Sequence, residues 1–243
     1  MGDGIAKIYD KFEQSISDIP DGASIMMMSF IGPGGCPQNL IVALKKLGVK
    51  NLDVYACANF GVSGILKDRP GYREYIQPDI LVGNGQVKKA HVTWARAIMG
   101  EYSALENAAL SGEVEVEMIP LGVYAHRLRA GGSGVGAFYS PIGVGTVYEQ
   151  GKEKRVINGK EYLLEYPIRA DFGFIRAYKA DKMGNLVYQG TARCFNPLIA
   201  KACDVTIAEV DEIVETGELD AEQIVTPSLY VDRIVKIPEG GLK

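Results

Sequence analysis

Residues Ser24 to Ala56 read SIMMMSFIGPGGCPQNLIVALKKLGVKNLDVYA, and the order of their patterns decides the fold class. Ser24 to Phe30 is a mostly apolar run with the length of a buried strand. Ile31-Gly32-Pro33-Gly34-Gly35-Cys36-Pro37 is a Gly/Pro loop. A helix is predicted from about Asn39 to Leu47, closed by Gly48 just past its last turn. Leu52 to Ala56 is the next strand. Strand, glycine loop, helix, strand is the βαβ unit of a parallel sheet.

The rhythm extends in both directions. Ile5, Ile8, Tyr9, Phe12 and Ile16 recur at helical spacing, which predicts an amphipathic helix before the turn at Pro20-Asp21-Gly22. Pro78 to Val82 reads as a strand and Ser103 to Leu110 as a helix. Val114, Val116 and Met118 alternate with Glu113, Glu115 and Glu117, the pattern of a strand with one wet face or an edge position. A short helix is predicted over Tyr124 to Ala130, ending at Gly131-Gly132. Beyond Gly145 the pattern becomes antiparallel. Arg155 to Ile157 and Glu161 to Tyr166 flank Asn158-Gly159, a strong hairpin signal. Asp171 to Tyr178 is a strand, Asp181 to Asn185 a turn into Leu186 to Tyr188, and Pro197 to Ala202 a helix. Val205 to Ala208 and Tyr230 to Ile237 are strands. No linker or repeat interrupts residues 1–243, so the expectation is a single α/β domain. Its mainly parallel sheet is flanked by helices, with an antiparallel hairpin excursion near residues 150–190.

Composition narrows the function. The 243 residues are 47% hydrophobic and 23% charged, ample for a core and against disorder. A net charge of −4 supplies no basic field for nucleic acid or an anionic membrane. The acidity is concentrated late: Glu209 to Glu222 holds seven acids and no base, read as a solvated face. Four scattered cysteines fit neither a CxxC site nor a disulfide framework, and two histidines argue against a His-rich metal site. The longest apolar stretch is far too short for a membrane span, and no signal peptide is recognisable, so a cytoplasmic setting is the default.

Two glycine-rich segments could carry chemistry. Gly32 to Pro37 lies between a strand and a helix, where backbone can approach a ligand and a helix N-terminus offers N–H donors. It is neither GxGxxG nor a Walker loop, and a purely structural turn explains it equally well. Arg127 to Phe138 reads RLRAGGSGVGAF, with four glycines in six residues, Gly131 to Gly136. Either a ligand lies close to this backbone, with Arg127 and Arg129 suited to an anion, or it is a flexible loop over a solvated helix. His126 reads as a surface residue or a base. Cys57 reads as a buried small hydrophobe or a nucleophile, with nothing nearby to lower its pKa. Trp94 suits the core or a subunit interface, and Asp171 and Asp181 suit turn and cap roles. No Ser-His-Asp order or paired-carboxylate constellation stands out.

Three segments carry a family resemblance: Gly34-Gly35-Cys36-Pro37-Gln38-Asn39-Leu40-Ile41; the run GEVEVEMIPLGVYAHRLRAGGSGVGAFYSPIGVGT from Gly112 to Thr146; and Ala170-Asp171-Phe172 through Lys182-Met183-Gly184-Asn185-Leu186 to Ala192-Arg193-Cys194-Phe195-Asn196. The chain resembles the A (alpha) subunit of family I CoA-transferases of the 3-oxoacid and 3-oxoadipate type. The resemblance implies a homologous B (beta) subunit, in a heterodimer or heterotetramer, that supplies the nucleophilic glutamate. It implies coenzyme A esters as substrates and no permanently bound cofactor or metal. No catalytic residue is then expected on this chain. Gly32, Gly34, Gly35, Gly131, Gly132, Ser133 and Gly134 would form the oxyanion and substrate loops.

The resemblance also assigns Cys57, Asn59, Leu121, His126 and Val144 to the acyl pocket, and it is there that the sequence departs from its relatives. Leu121 stands where 3-oxoacid enzymes have glutamine, His126 where they have glutamate, and Val144 where they have tyrosine. Their strand-end Asn-Asn pair aligns with Cys57-Ala58, with Asn59 one residue on. Polar groups lost from the pocket imply an acyl group less polar or larger than acetoacetate. Two other readings are an acyl-CoA hydrolase of the same A/B architecture and a non-catalytic ligand-binding module of the same fold.

Overall fold

A computed structural model describes residues 7–30, 35–56, 75–96 and 102–242. In chain order the first half comprises β1 (Lys7–Tyr9), α1 (Phe12–Ser15), β2 (Ser24–Met27), α2 (Gln38–Leu47), β3 (Leu52–Ala56), α3 (Asp79–Gly83), β4 (Val87–Val92), α4 (Ala104–Ser111) and β5 (Glu115–Met118). After α5 (Leu121–Gly132) come β6 (Phe138–Ser140), β7 (Lys154–Ile157) and β8 (Lys160–Glu165). The last part comprises β9 (Ala170–Asp181), β10 (Leu186–Val187), α6 (Asn196–Ala202), β11 (Cys203–Val214) and β12 (Arg233–Lys236).

Among the described residues the main sheet runs β1-β12-β11-β9-β2-β3-β4-β5, parallel throughout, with β10 antiparallel on β9. A small antiparallel sheet, β6-β8-β7, stands apart. The expected α/β architecture with an antiparallel excursion is therefore present. Asn158 (φ 50°) and Gly159 (φ 78°) form the hairpin turn between β7 and β8, both in the left-handed region that such a turn requires.

The apolar run at Ser24 is buried on both faces because alternate side chains enter different cores. Ile25 and Met27 join Leu40 and Leu44 of α2, Leu81 of α3 and Leu105 of α4. Met26 and Met28 join Tyr124 and Leu128 of α5, Ile175 of β9 and Ile199 of α6. Each fully buried side chain of this size contributes about 1.5–3 kcal/mol. Helices on both faces are what a parallel sheet needs to exclude water.

Strand β2 borders both halves of the sheet. From β2 the chain builds outward through β3, β4 and β5, whereas β9 builds the other way through β11 and β12. The direction reverses between β2 and β9. At their amino ends the two strands are clasped by Ser24 and Asp171: the Ser24 N–H and hydroxyl donate to Asp171 Oδ2 at 2.8 and 2.7 Å, and Asp171 N–H donates back to Ser24 Oγ at 2.8 Å.

Three local expectations are corrected. The segment around Ile8 is not a helix: β1 pairs in parallel with β12, Lys7 opposite Arg233, and only Phe12–Ser15 is helical. The free edge of β12 offers ladder hydrogen bonds that outweigh the helical spacing. Residues 79–83 form a helix rather than a strand: Leu81 N–H turns back to Pro78 O at 2.9 Å, and the Asp79 carboxylate caps α4 by accepting from Ala104 and Leu105 N–H, both at 2.9 Å. The strand lies after it, at β4, whose sequence VKKAHV hides its apolar residues among cations. Finally, the acidic run is solvated except at its first member: Glu215, Glu218, Asp220 and Glu222 are exposed, but Glu209 is fully buried on β11, which runs on to Val214. β5 is an edge strand among the described residues, one of the two readings of its alternation, and Met118 on its apolar side is exposed.

Candidate active site

In an open parallel sheet the crevice for a ligand forms outside the carboxyl ends of the strands, where the strand order reverses. Here that is beyond Met27, and the residues that gather there come from both halves of the chain. Gly35 lies so close to Ala192 that a Cβ built on it would meet Ala192 Cα and O at 3.4 Å. Asn196, fully buried at the start of α6, donates from Nδ2 to Gly35 O at 3.0 Å and to Ala192 O at 2.8 Å. Its Oδ1 accepts from the backbone N–H of Arg176 at 3.2 Å. The first and third of the resembling segments are thereby in contact. The middle one joins them through Tyr124, whose ring meets Phe195 edge-on with centroids 6.4 Å apart.

The α2 N-terminus does not offer free donors, contrary to expectation. Gln38 N–H donates to Cys36 O at 2.9 Å and Ile41 N–H to Pro37 O at 3.1 Å. Asn39 and Leu40 N–H both donate to Glu209 Oε2 at 3.0 Å. Every N–H of the first turn is thus satisfied within the protein, and the carboxylate that complements the helix dipole is internal. Asn39 Nδ2 adds a bond to Glu209 Oε1 at 3.2 Å, and Arg176 Nη1 lies 3.8 Å away. Burial pushes the Glu209 carboxyl up to about 7, while Leu40 N–H, Arg176 and Asn39 pull it down. Arg176, itself buried, donates from Nη2 to both oxygens of Asp211 at 3.0 and 3.1 Å.

The glycines of the second segment divide into two groups. Gly131 and Gly132 end α5 rather than forming a loop. A Cβ on Gly131 would stand 2.0 Å from Ile168 O, and one on Gly132 would stand 2.6 Å from Lys201 Cβ. Close approach is required there, as the glycine count suggested, but the neighbour is the protein itself. Ser133 and Gly134 are exposed, Gly134 with φ 70° and open space around its Cα. Arg127 is likewise engaged internally: Nε donates to Tyr166 O at 2.8 Å and Nη1 lies 3.5 Å from Glu117.

Gly32, Gly34, Cys57 and Asn59 lie outside the described residues. Leu121 opens α5 and is 39% exposed, and Val144 is half-buried. The segments that carry them are adjacent, because a Cβ on Gly122 would lie 2.8 Å from Ile142 Cδ1. His126 is exposed one turn further along α5, its ring centroid 6.1 Å from that of Phe138. Trp94 is 53% exposed just past β4, which excludes the core placement. Cys36 donates to Ile76 O at 3.5 Å, and burial pushes the Cys194 and Cys203 thiols up, away from nucleophilic use. Among the described residues no group of His, Cys, Asp and Glu could hold a metal ion, and no helix is long and apolar enough to cross a membrane.

Sequence reading missed a second polar assembly altogether. His91 of β4 is buried with Nε2 2.7 Å from Asp53 Oδ1 and Nδ1 2.9 Å from Glu117 Oε2. The Tyr55 ring stacks on the imidazole at 3.9 Å and 6°. These residues come from three neighbouring strands and share one face only in the folded sheet, so no spacing announces them. Two open clefts, of about 420 Å³ beside Arg127 and Lys152 and about 460 Å³ beside Tyr178 and Gln189, include none of the proposed loop or acyl residues. Lys152 in the first is already paired with Glu165 at 2.7 Å.

The family model described as Coenzyme A transferase matches residues 9–237. The chain belongs to the coenzyme A transferase family. This transferase chain is 43% identical over 230 residues to the A subunit of succinyl-CoA:3-ketoacid coenzyme A transferase of Helicobacter pylori, covering 95% of this chain and 92% of that one. It is 38% identical over 233 residues to the A subunit of 3-oxoadipate CoA-transferase of Pseudomonas putida, covering 96% and 94%. Glutaconate coenzyme A-transferase of Acidaminococcus fermentans superimposes with a TM-score of 0.78 at 18% identity, covering 97% of the transferase chain and 77% of that structure. At that identity the likeness speaks for the fold alone.

Proposed function

We propose that this transferase chain is one domain serving as the A subunit of a two-subunit enzyme that moves CoA between an acyl-CoA and a carboxylic acid. The observation that carries the reading is the 43% identity to the A subunit of such a transferase over nearly the full length of both chains. A homologous B subunit contributes the reacting glutamate. One oxygen of that carboxylate attacks the thioester carbonyl and the C–S bond breaks, giving a mixed anhydride and CoA thiolate. The thiolate then attacks the glutamyl carbonyl, releasing the first acid and forming a glutamyl-CoA thioester. The second acid reverses the sequence with its own carboxylate.

The contribution of this chain is donors and shape. Gly35 lies at the strand-order reversal, and the N–H groups of Gly32, Gly34 and Gly35 are assigned to the tetrahedral oxyanion. Ser133 and Gly134 edge the substrate path, while Gly131 and Gly132 support it through packing. Leu121 and Val144, with Cys57, Asn59 and His126, line the acyl end. Apolar side chains at the first two favour an acyl group less polar or larger than acetoacetate, since a pocket without partners leaves a polar substituent unpaired. The working compartment is the cytoplasm, and CoA enters as substrate.

The test is turnover by the co-expressed A/B pair. Acyl-CoA consumption is expected to require a carboxylate acceptor, and borohydride is expected to reduce a glutamyl-CoA thioester on the B subunit. Consumption without an acceptor would make the pair a hydrolase, and no labelled glutamate would remove the defining intermediate.

A further inference from the structure

The span from Gly35 to Leu40 is held at both ends by residues more than 150 positions away. Its first carbonyl, Gly35 O, receives the Asn196 amide at 3.0 Å. Its last two N–H groups, Asn39 and Leu40, donate to Glu209 at 3.0 Å. The two anchors share a support in Arg176, whose backbone N–H bonds Asn196 and whose guanidinium lies 3.8 Å from Glu209. Asn196 and Glu209 are both fully buried, as is nearly all of Arg176. β9 and β11 carry Arg176 and Glu209 on paired positions of the ladder. The half of the sheet built on β9 therefore grips the glycine-bearing segment that follows β2, across the strand-order reversal.

A buried carboxylate and a buried amide are expensive unless every polar atom is used; Glu209 spends both oxygens on this span and Asn196 one of its amide hydrogens, the rest going to Ala192 O and Arg176 N–H. Core packing alone would be served by apolar residues. The span they hold begins at Gly35, one of the glycines to which the proposed function assigns oxyanion donors, and such donors act only when fixed before the reaction. Resting on that reading, we infer that Asn196 and Glu209 are positioning residues for the acyl-transfer step, clamping Gly35 to Leu40 so that the glycine backbone is aligned with the reacting carbonyl. Neither touches substrate.

The isosteric changes Asn196→Asp and Glu209→Gln test this in the co-expressed A/B complex. Asn196→Asp keeps the acceptor for Arg176 and turns the donor toward Gly35 O into an acceptor. Glu209→Gln keeps an oxygen for the helix and removes the charge. Amide hydrogen exchange over Cys36 to Leu40 is expected to quicken at least tenfold in both. The acyl-CoA KM is expected to stay within about threefold while kcat falls up to about 10²-fold, the effect of roughly 1 Å of misplacement. Retained wild-type exchange in both folded variants would overturn the clamp. Loosened exchange with wild-type kcat would overturn its role in the reaction. A wild-type complex that turns nothing over would instead count against the transferase reading, and the exchange measurement would still decide the clamp.

Discussion

His91 on β4 sets Nε2 2.7 Å from Asp53 Oδ1 on β3, and Glu117 on β5 flanks the other nitrogen at 2.9 Å. A buried imidazole between two carboxylates ties three strands together, most firmly when it is protonated. Desolvation pushes its pKa down, but the hydrogen bonds and charges of Asp53 and Glu117 more than offset this, leaving it above 6.5. Glu117 is lowered to about 2, chiefly by His91 and against burial, with Arg127 and Lys89 adding attraction. Tyr55 stacks on the ring, and Lys89 pairs with Glu115 at 2.8 Å and lies 3.8 Å from Glu117.

The pH dependence follows with a definite sign. The stability His91 contributes is present in full below 6.5 and is lost as pH rises through the folded value. That of Glu117 is present above 4.5 and lost as pH falls toward 2. His91→Gln is therefore expected to unfold at lower urea than wild type near about pH 5.5, with the gap narrowing toward about pH 9. A gap independent of pH would refute the charged-pair account.

Gly131 and Gly134 separate packing from flexibility. A Cβ at Gly131 meets the Ile168 carbonyl at 2.0 Å, and backbone cannot step aside as a side-chain tip can. Gly131→Ala is expected to cost about 3 kcal/mol. Gly134→Ala meets open space and carries only the left-handed strain of φ 70°, about 1 kcal/mol. Thermal unfolding ranks the two, and the reverse order would return Gly131 to a ligand-facing role.

Asp181 Oδ1 accepts from the N–H groups of Met183, Gly184 and Asn185 at 3.0, 2.9 and 2.9 Å, and Oδ2 from Asn185 Nδ2 at 2.8 Å. Asp181→Ala leaves these donors in a partly buried turn and is expected to cost about 1–3 kcal/mol in urea unfolding. Hydrogen exchange should quicken locally at Met183 to Asn185. A loss below about 0.5 kcal/mol would mean that water replaces the carboxylate freely.

Leu121→Gln tests the acyl pocket. A donor-acceptor side chain at the start of α5 is expected to raise kcat/KM for a 3-oxoacyl-CoA relative to an unsubstituted acyl-CoA by about tenfold or more. Steady-state rates over a donor panel with the A/B complex measure it. A wild-type preference for acetoacetyl-CoA, or an unchanged ratio in the variant, would place Leu121 away from the acyl group.

Much of the fold was legible because its signals are local. The apolar run at Ile25 needs burial on both faces wherever it lies. Gly48 closes α2 in the left-handed region with φ 76°. Ser103 and Glu106 make a reciprocal capping box at α4. The errors arose where a local signal met a distant partner. The helical spacing around Ile8 lost to the edge of β12, and the strand β4 was hidden by Lys88, Lys89 and His91, two of which find carboxylates only across the sheet.

The site shows the same division. From sequence alone, the parallel α/β class, the glycine segments and the family resemblance were determined, because backbone freedom, apolar length and motif order are properties of neighbouring residues. The tertiary structure alone decided what each glycine and charge is for. It gave the free end of α2 to Glu209, set Gly131 against Ile168, and placed Asn196 on Gly35 from 161 residues away. A run of acids near the C-terminus looks solvated in one dimension. Only the pairing of β11 with β9, which buries Glu209 beside Arg176 and α2, makes one of them an internal anchor.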